Sequence, residues 1–202
     1  MRTNRNQKIL RLAQLALLVA LVVVLQIVSA IIPPIAGSVS ITLTLVPVVV
    51  GAILFGIKGG AILGFTFGLI VMINCITGLD VGGNMLWNTN PFFTAIICLI
   101  KGTAAGIVPA ALYKLVRGKK ESASNGKKFV AALVAALSAP IVNTALFVCG
   151  MLIFFNAGAG GKAMSYVLMV FAGANFLVEF FINIILTPAI VRIVDVVKKK
   201  IK

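Results

Sequence analysis

The chain has 202 residues, of which 61% are hydrophobic and 11% charged, with 18 Lys and Arg against 4 Asp and Glu and no His. A mean hydropathy of +1.16 belongs to a chain whose solvent is mostly lipid, which excludes a water-soluble globular core. The net charge of +14 reads as topogenic charge beside anionic headgroups, and a nucleic-acid role is rejected.

Six apolar stretches run at about 12–32, 41–57, 60–78, 91–116, 129–155 and 164–194. Each approaches or exceeds the roughly 20 residues that a helix needs to cross about 30 Å of hydrocarbon. They predict an all-α integral membrane protein, with residues 1–202 forming one domain of six transmembrane helices.

The first stretch follows Arg2, Arg5, Lys8 and Arg11, and Val28-Ser29-Ala30 has the small residues of a cleavage site. It is longer than the 7–15 residues of a signal-peptide core, and five spans follow it, so it is expected to remain in the mature chain. Ala13, Ala16 and Ala20 form a small-residue stripe near its basic end. Alanine is common in membrane helices, so the stripe alone carries little weight. Pro33-Pro34 ends the span, and Lys58-Gly59-Gly60 is expected to make a tight turn between the second and third. In the third, Gly60, Gly64 and Gly68 recur every four residues, a spacing that lets another backbone come close.

Residues 79–90 read as an external loop with a flexible Gly82-Gly83. Asp80, Asn84, Trp87, Asn88 and Asn90 would rim a mouth there, with Trp87 either an aromatic lid or an interfacial anchor. Pro91 suits the first turn of the fourth helix, where its missing N–H costs nothing. The segment from Arg117 to Lys128 is a solvated linker. Gly158-Ala159-Gly160-Gly161-Lys162 suggests a phosphate loop, but Asn156 stands where a Gly is required and Ala163 where a Ser or Thr is. If ATP is used, another chain must bind it.

Threading the spans back and forth puts sixteen of the Lys and Arg residues on one face: the N-terminus, Lys58, the six from Lys114 to Lys128, and the C-terminal group from Arg192. The other face has only Lys162, and Lys101 lies inside the fourth span. Basic short loops stay in the cytoplasm, so both termini are expected to be cytoplasmic.

Cys75, Cys98 and Cys149 lie in apolar spans without ligand spacing and read as small packing residues. Without His, and with only Asp80, Glu121, Glu179 and Asp195 as acids, most metal sites and the usual general bases are absent. No metal, no cofactor and no enzymatic activity are expected.

Polar groups at membrane depth carry more information, because each is costly unless paired or facing a cavity. At 1.5 Å per residue, Lys101 lies about 15 Å below the external end of the fourth helix and Asn175 about 16 Å below that of the sixth. Glu179 is one turn deeper, and Asn143 is near the middle of the fifth helix. Asn175, Glu179 and Asn183 are spaced i, i+4, i+8 and share one face, which must look inward. Pro140, one turn from Asn143, is expected to bend the fifth helix. Lys101, Asn143, Asn175 and Glu179 are therefore candidates for a solute site, with Trp87, Asn88 and Asn90 at its mouth. The other reading is a Lys101–Glu179 ion pair that only fixes helix register.

These features together resemble the substrate-binding S components of energy-coupling factor (ECF) vitamin transporters. The resemblance rests on six helices with both ends inside, on Ala16-x-x-x-Ala20, and on the run from Thr42 through Pro47, Gly51, Phe55 and Gly56 to Gly60 and Gly64. Asn143-Thr144, Asn175 and Glu179 also look like the family's later helices. It implies a bacterial plasma-membrane protein whose first-helix alanines, Ala13, Ala16 and Ala20, pack against a transmembrane T component driven by two ATPase subunits. It also implies capture of a water-soluble vitamin from outside and release inside after toppling in the bilayer.

The resemblance does not name the vitamin. A buried Lys101 slightly favours pantothenate, whose carboxylate is joined to amide and hydroxyl groups that suit asparagines. If Glu179 neutralises Lys101, riboflavin fits as well, stacked on Trp87 or Phe92. Folate and cobalamin also stay open, as do a stand-alone channel or secondary carrier and a purely structural scaffold.

Overall fold

The computed structural model describes the backbone of residues 2–31, 43–118, 124–155 and 161–201, and the side chains of 6–29, 43–118, 124–155 and 173–197. Pro33-Pro34, the centre of the 117–128 linker and residues 158–160 of the glycine-rich segment lie outside the described residues, as do the side chains of Lys162 and the C-terminal lysines. Six helices follow in order, α1 (Arg2–Ile31), α2 (Leu45–Thr77), α3 (Val81–Thr89), α4 (Pro91–Arg117), α5 (Asn125–Phe154) and α6 (Gly161–Ile201), with no strand among the described residues. Five of them are long and apolar enough to cross a membrane.

The predicted spans 41–57 and 60–78 are two arms of α2. Its regular dihedrals break at one residue, Gly56, with φ 69° and ψ −159°. Gly51 lies over the Leu63 side chain and Gly60 beside the Ala52 Cβ. Residues eight and twelve apart stand about 12 and 18 Å apart in a straight helix, so the chain doubles back at Gly56. The tight turn expected at Lys58-Gly59-Gly60 therefore falls earlier. Only a residue without Cβ takes that positive φ without strain, whereas Gly59 and Gly60 stay helical and are used for packing.

Gly60, Gly64 and Gly68 are pressed against α4. A Cβ on Gly60 would strike the Gly106 carbonyl, one on Gly64 the Gly102 carbonyl, and one on Gly68 the Cys98 carbonyl; Gly102 and Gly106 are equally confined by α2. The contact is thus backbone on backbone. Lipid offers no hydrophobic drive between helices, and this close approach supplies dispersion contacts in its place. α2 with α4 is the most extensive helix pair in the structure.

Residues 81–89, expected as loop, are the short helix α3. Asp80 caps it by accepting from the Gly83 N–H at 2.9 Å. Asn84 ties it down, its Nδ2 donating to the Cys75 carbonyl at 2.8 Å. Of the paired glycines Gly83 packs here; a Cβ on it would meet the Cys75 sulfur.

α1 turns most of its surface outward: Leu12, Leu17 and Val24 are exposed, while Val22, Gln26 and Ser29 are buried at i, i+4, i+7. α5 contributes small buried residues, Ala131, Ala132, Ala135, Ala136 and Ala139, which admit close neighbours. Pro140 lies inside α5, which stays helical from Asn125 to Phe154. The main core joins Val22 of α1, Val48 and Leu63 of α2, Ala105 of α4, Ala135 of α5 and Ile190 of α6.

Candidate functional site

The site grows from the antiparallel seam between α4 and α5. Phe93 stacks on Phe154 with ring centres 4.4 Å apart. One turn deeper, Ile97 lies against Gly150. At the next turn the Lys101 Nζ sits 4.8 Å from the centre of the Phe147 ring. The ring's negative face holds the ammonium electrostatically without neutralising it. Asn143 occupies the following turn of α5, buried to 9% exposure with an Oδ1 that has no internal partner. Pro140 adds a second acceptor, because it has no N–H to give the Ala136 carbonyl.

The predicted inward face of α6 is inward. Glu179, Asn183, Thr187, Ile190 and Val194 are buried along one stripe, and Asn175 is half-buried one turn above Glu179. Asn183 Nδ2 donates to the Glu179 carbonyl at 2.8 Å, and the Thr187 hydroxyl donates to the Asn183 carbonyl at 2.7 Å. These local bonds satisfy donors and leave an acceptor: Asn183 Oδ1, on a side chain 1% exposed, has no internal partner. Asn175 and Glu179 each make contacts of their own.

The rim residues separate by role. Trp87 is half-buried and packs against the main core. Asn88 is exposed and donates to Asn84 Oδ1 at 3.0 Å. Asn90 caps α4, its Oδ1 accepting from the Phe93 N–H at 3.1 Å. Asn90 stands about 16 Å along α4 from Lys101 at 1.5 Å per residue, at the N-terminal end of the helix rather than near its middle.

Phe147 stands at Lys101 and Asn183 lies on the buried face of α6, although neither was a candidate. Phe147 is one turn from Asn143, but its pairing with Lys101 crosses two helices and leaves no mark in spacing. Asn183 was visible through its i+4 step from Glu179. The alanines Ala13, Ala16 and Ala20 are exposed on α1, beside Leu12 and Leu17. Cys75 and Cys98 are buried with their sulfurs 4.0 Å apart, and Cys149 is exposed.

A fixed cation at membrane depth can hold an anionic group, and buried amide oxygens can accept from hydroxyl or amide donors. It provides binding groups and no nucleophile–base pair. The family model described as ECF transporter, substrate-specific component matches residues 10–191. The chain is also 28% identical over 199 residues to the pantothenic acid transporter PanT of Lactococcus lactis subsp. cremoris (strain MG1363), covering 93% of this chain and 94% of that protein. The helices, the buried polar centre and the family match agree, and the chain belongs to the substrate-specific components of ECF transporters, integral proteins of the plasma membrane.

Proposed function

We propose that the chain captures a water-soluble vitamin from outside the cell, with pantothenate the preferred substrate. The observation that carries this reading is the Lys101 ammonium, held at membrane depth by the Phe147 ring, with the unpartnered Asn143 Oδ1 one turn along α5 from that ring. A carboxylate answers the cation, and hydroxyl and amide N–H groups answer the asparagine oxygens. Pantothenate has all three groups. The likeness to a pantothenic acid transporter supports the same choice.

In this reading Lys101, Asn143, Asn175 and Glu179 bind the solute, and Trp87, Asn88 and Asn90 stand at the external rim. Both termini are cytoplasmic, as the sixteen cations of one face require. Ala13, Ala16 and Ala20 form the smooth exposed strip on which a T component docks, and two ATPase subunits on other chains supply the energy.

The test is thermal stabilisation of the purified chain by pantothenate, riboflavin, folate and cobalamin. A ligand at 100 times its dissociation constant adds about 2.7 kcal/mol to the folded state. A rise with pantothenate alone is expected; a rise with riboflavin and none with pantothenate would reassign the substrate.

A further inference from the structure

Cys75 on α2 and Cys98 on α4 have no role in the site described so far. They are 2% and 4% exposed, and their sulfurs are 4.0 Å apart. The glycine contacts explain why they meet. Gly60 against Gly106, Gly64 against Gly102 and Gly68 against the Cys98 carbonyl set the second arm of α2 antiparallel to α4. Cβ atoms tilt toward the N-terminus of their own helix, so across antiparallel helices Cys75 leans toward Cys98 and Cys98 toward Cys75. Each sulfur is the other's hydrogen-bond contact. An S–H group is a weak donor and sulfur a weak acceptor, so little holds the two as thiols.

The pair is covered from one side by α3. Gly83 lies on the Cys75 sulfur, and Leu86, one turn on, is buried with Ile97, the neighbour of Cys98. The cover is short and lightly tied: besides its packing, its nine residues are held by the Asp80 cap and by one bond from Asn84 to the carbonyl of Cys75 itself. A short element with few buried contacts opens locally at less cost than the core. With both termini cytoplasmic, as proposed above, this end of the bundle faces outside, where thiols are not kept reduced.

We propose that Cys75 and Cys98 are a modification site, a dithiol that a small peroxide oxidises to a disulfide joining α2 to α4 beneath α3. One sulfur, as its thiolate, attacks a peroxide oxygen. The O–O bond breaks, and the hydroxide that leaves takes up the proton released by the thiol and becomes water. The second sulfur attacks the sulfenic sulfur so formed, the S–O bond breaks, and a second water leaves. Two thiols and one peroxide thus give one disulfide and two waters. The sulfurs close by about 2 Å in this step. No glycine contact pins α2 to α4 beyond Gly68 and Cys98, so the glycine seam does not oppose that approach. Cys98 is one turn of α4 from Lys101 and Cys75 carries α3, so the bond ties the rim helix to the turn that holds the cation. Its formation does not depend on which solute the chain binds.

The experiment uses the purified full chain with Cys149→Ser, which leaves the buried pair as its only thiols. It is treated with hydrogen peroxide, denatured, alkylated and mapped by mass spectrometry. The expected product has lost two hydrogens, takes up no alkylating reagent, yields peptides linked through Cys75 and Cys98, and returns to two free thiols with dithiothreitol. Asn84→Ala removes the tie between α3 and Cys75 and is expected to speed the reaction about 2–10-fold, the worth of one net hydrogen bond. Both thiols surviving a peroxide dose that fully oxidises the exposed Cys149 of the wild-type chain would overturn the inference, and so would sulfinic acid at either cysteine without a link. An unchanged rate in Asn84→Ala would overturn the role of α3 as the cover.

Discussion

Lys101 on α4 and Phe147 on α5 meet with the ammonium 4.8 Å from the ring centre, at the third successive turn of a seam that begins with the stacked pair Phe93 and Phe154. The aromatic and glycine contacts above it fix where the cation points. The ring leaves its charge available.

Removing the charge should weaken binding more than removing the ring. Lys101→Gln is expected to lower pantothenate affinity by about 10–100-fold, the range for a hydrogen bond to a charged group. Phe147→Leu keeps the charge and loses only the cation–π contact, about 0.5–2 kcal/mol or roughly 2–30-fold. Calorimetric titration of both variants checks the order.

Asn143→Leu separates a binding role from a structural one. The unpartnered Oδ1 costs stability in the free protein, so leucine should leave the ligand-free melting temperature equal or raised. Ligand affinity should fall by about 1 kcal/mol or more for the lost hydrogen bond. A lower melting temperature with unchanged affinity would give Asn143 to the scaffold.

Glycines of α2, α4 and α6 offer three substitutions for comparison. Gly106→Ala drives a methyl into the Gly60 carbonyl, and overpacking of this kind costs about 1–3 kcal/mol. Gly56→Ala meets nothing within 4 Å but must keep φ 69°, which costs about 1–2 kcal/mol. Gly173→Ala has open space and no positive φ, so it should be neutral or stabilising by up to about 1 kcal/mol through helix propensity. Thermal unfolding in one detergent orders the three.

Ala16→Leu and Ala20→Leu enlarge exposed positions on α1. Stability of the isolated chain should change by no more than about 0.5 kcal/mol, and vitamin affinity should not change. Uptake by cells carrying the complete transporter should be abolished, because the larger side chains hold a docking helix away. Retained uptake would move the docking surface elsewhere.

Sequence pattern located the membrane helices because their apolar runs are long, and α4 begins at Pro91 where its cap chemistry said it would. It located the inward face of α6 because a polar i, i+4 series in lipid has one tolerable orientation. It missed α3, whose Gly82-Gly83 reads as a breaker; the helix depends on the Asp80 cap and on the Asn84 bond to Cys75, a contact nine residues away. It set the α2 reversal at the glycine pair beside Lys58, since nothing local distinguishes a glycine used for φ from one used for packing. The Lys101–Phe147 contact was illegible for a related reason: register between two helices is decided by Gly150 and Ile97 together, and neither is informative alone.

The most direct measurement is equilibrium binding of pantothenate and of pantothenol, its neutral alcohol, to the purified chain. One-to-one binding of pantothenate, with pantothenol weaker by about 10–100-fold, is the expected result for a carboxylate held by Lys101. Equal affinity for the two, or no binding of pantothenate while another vitamin binds, would contradict it.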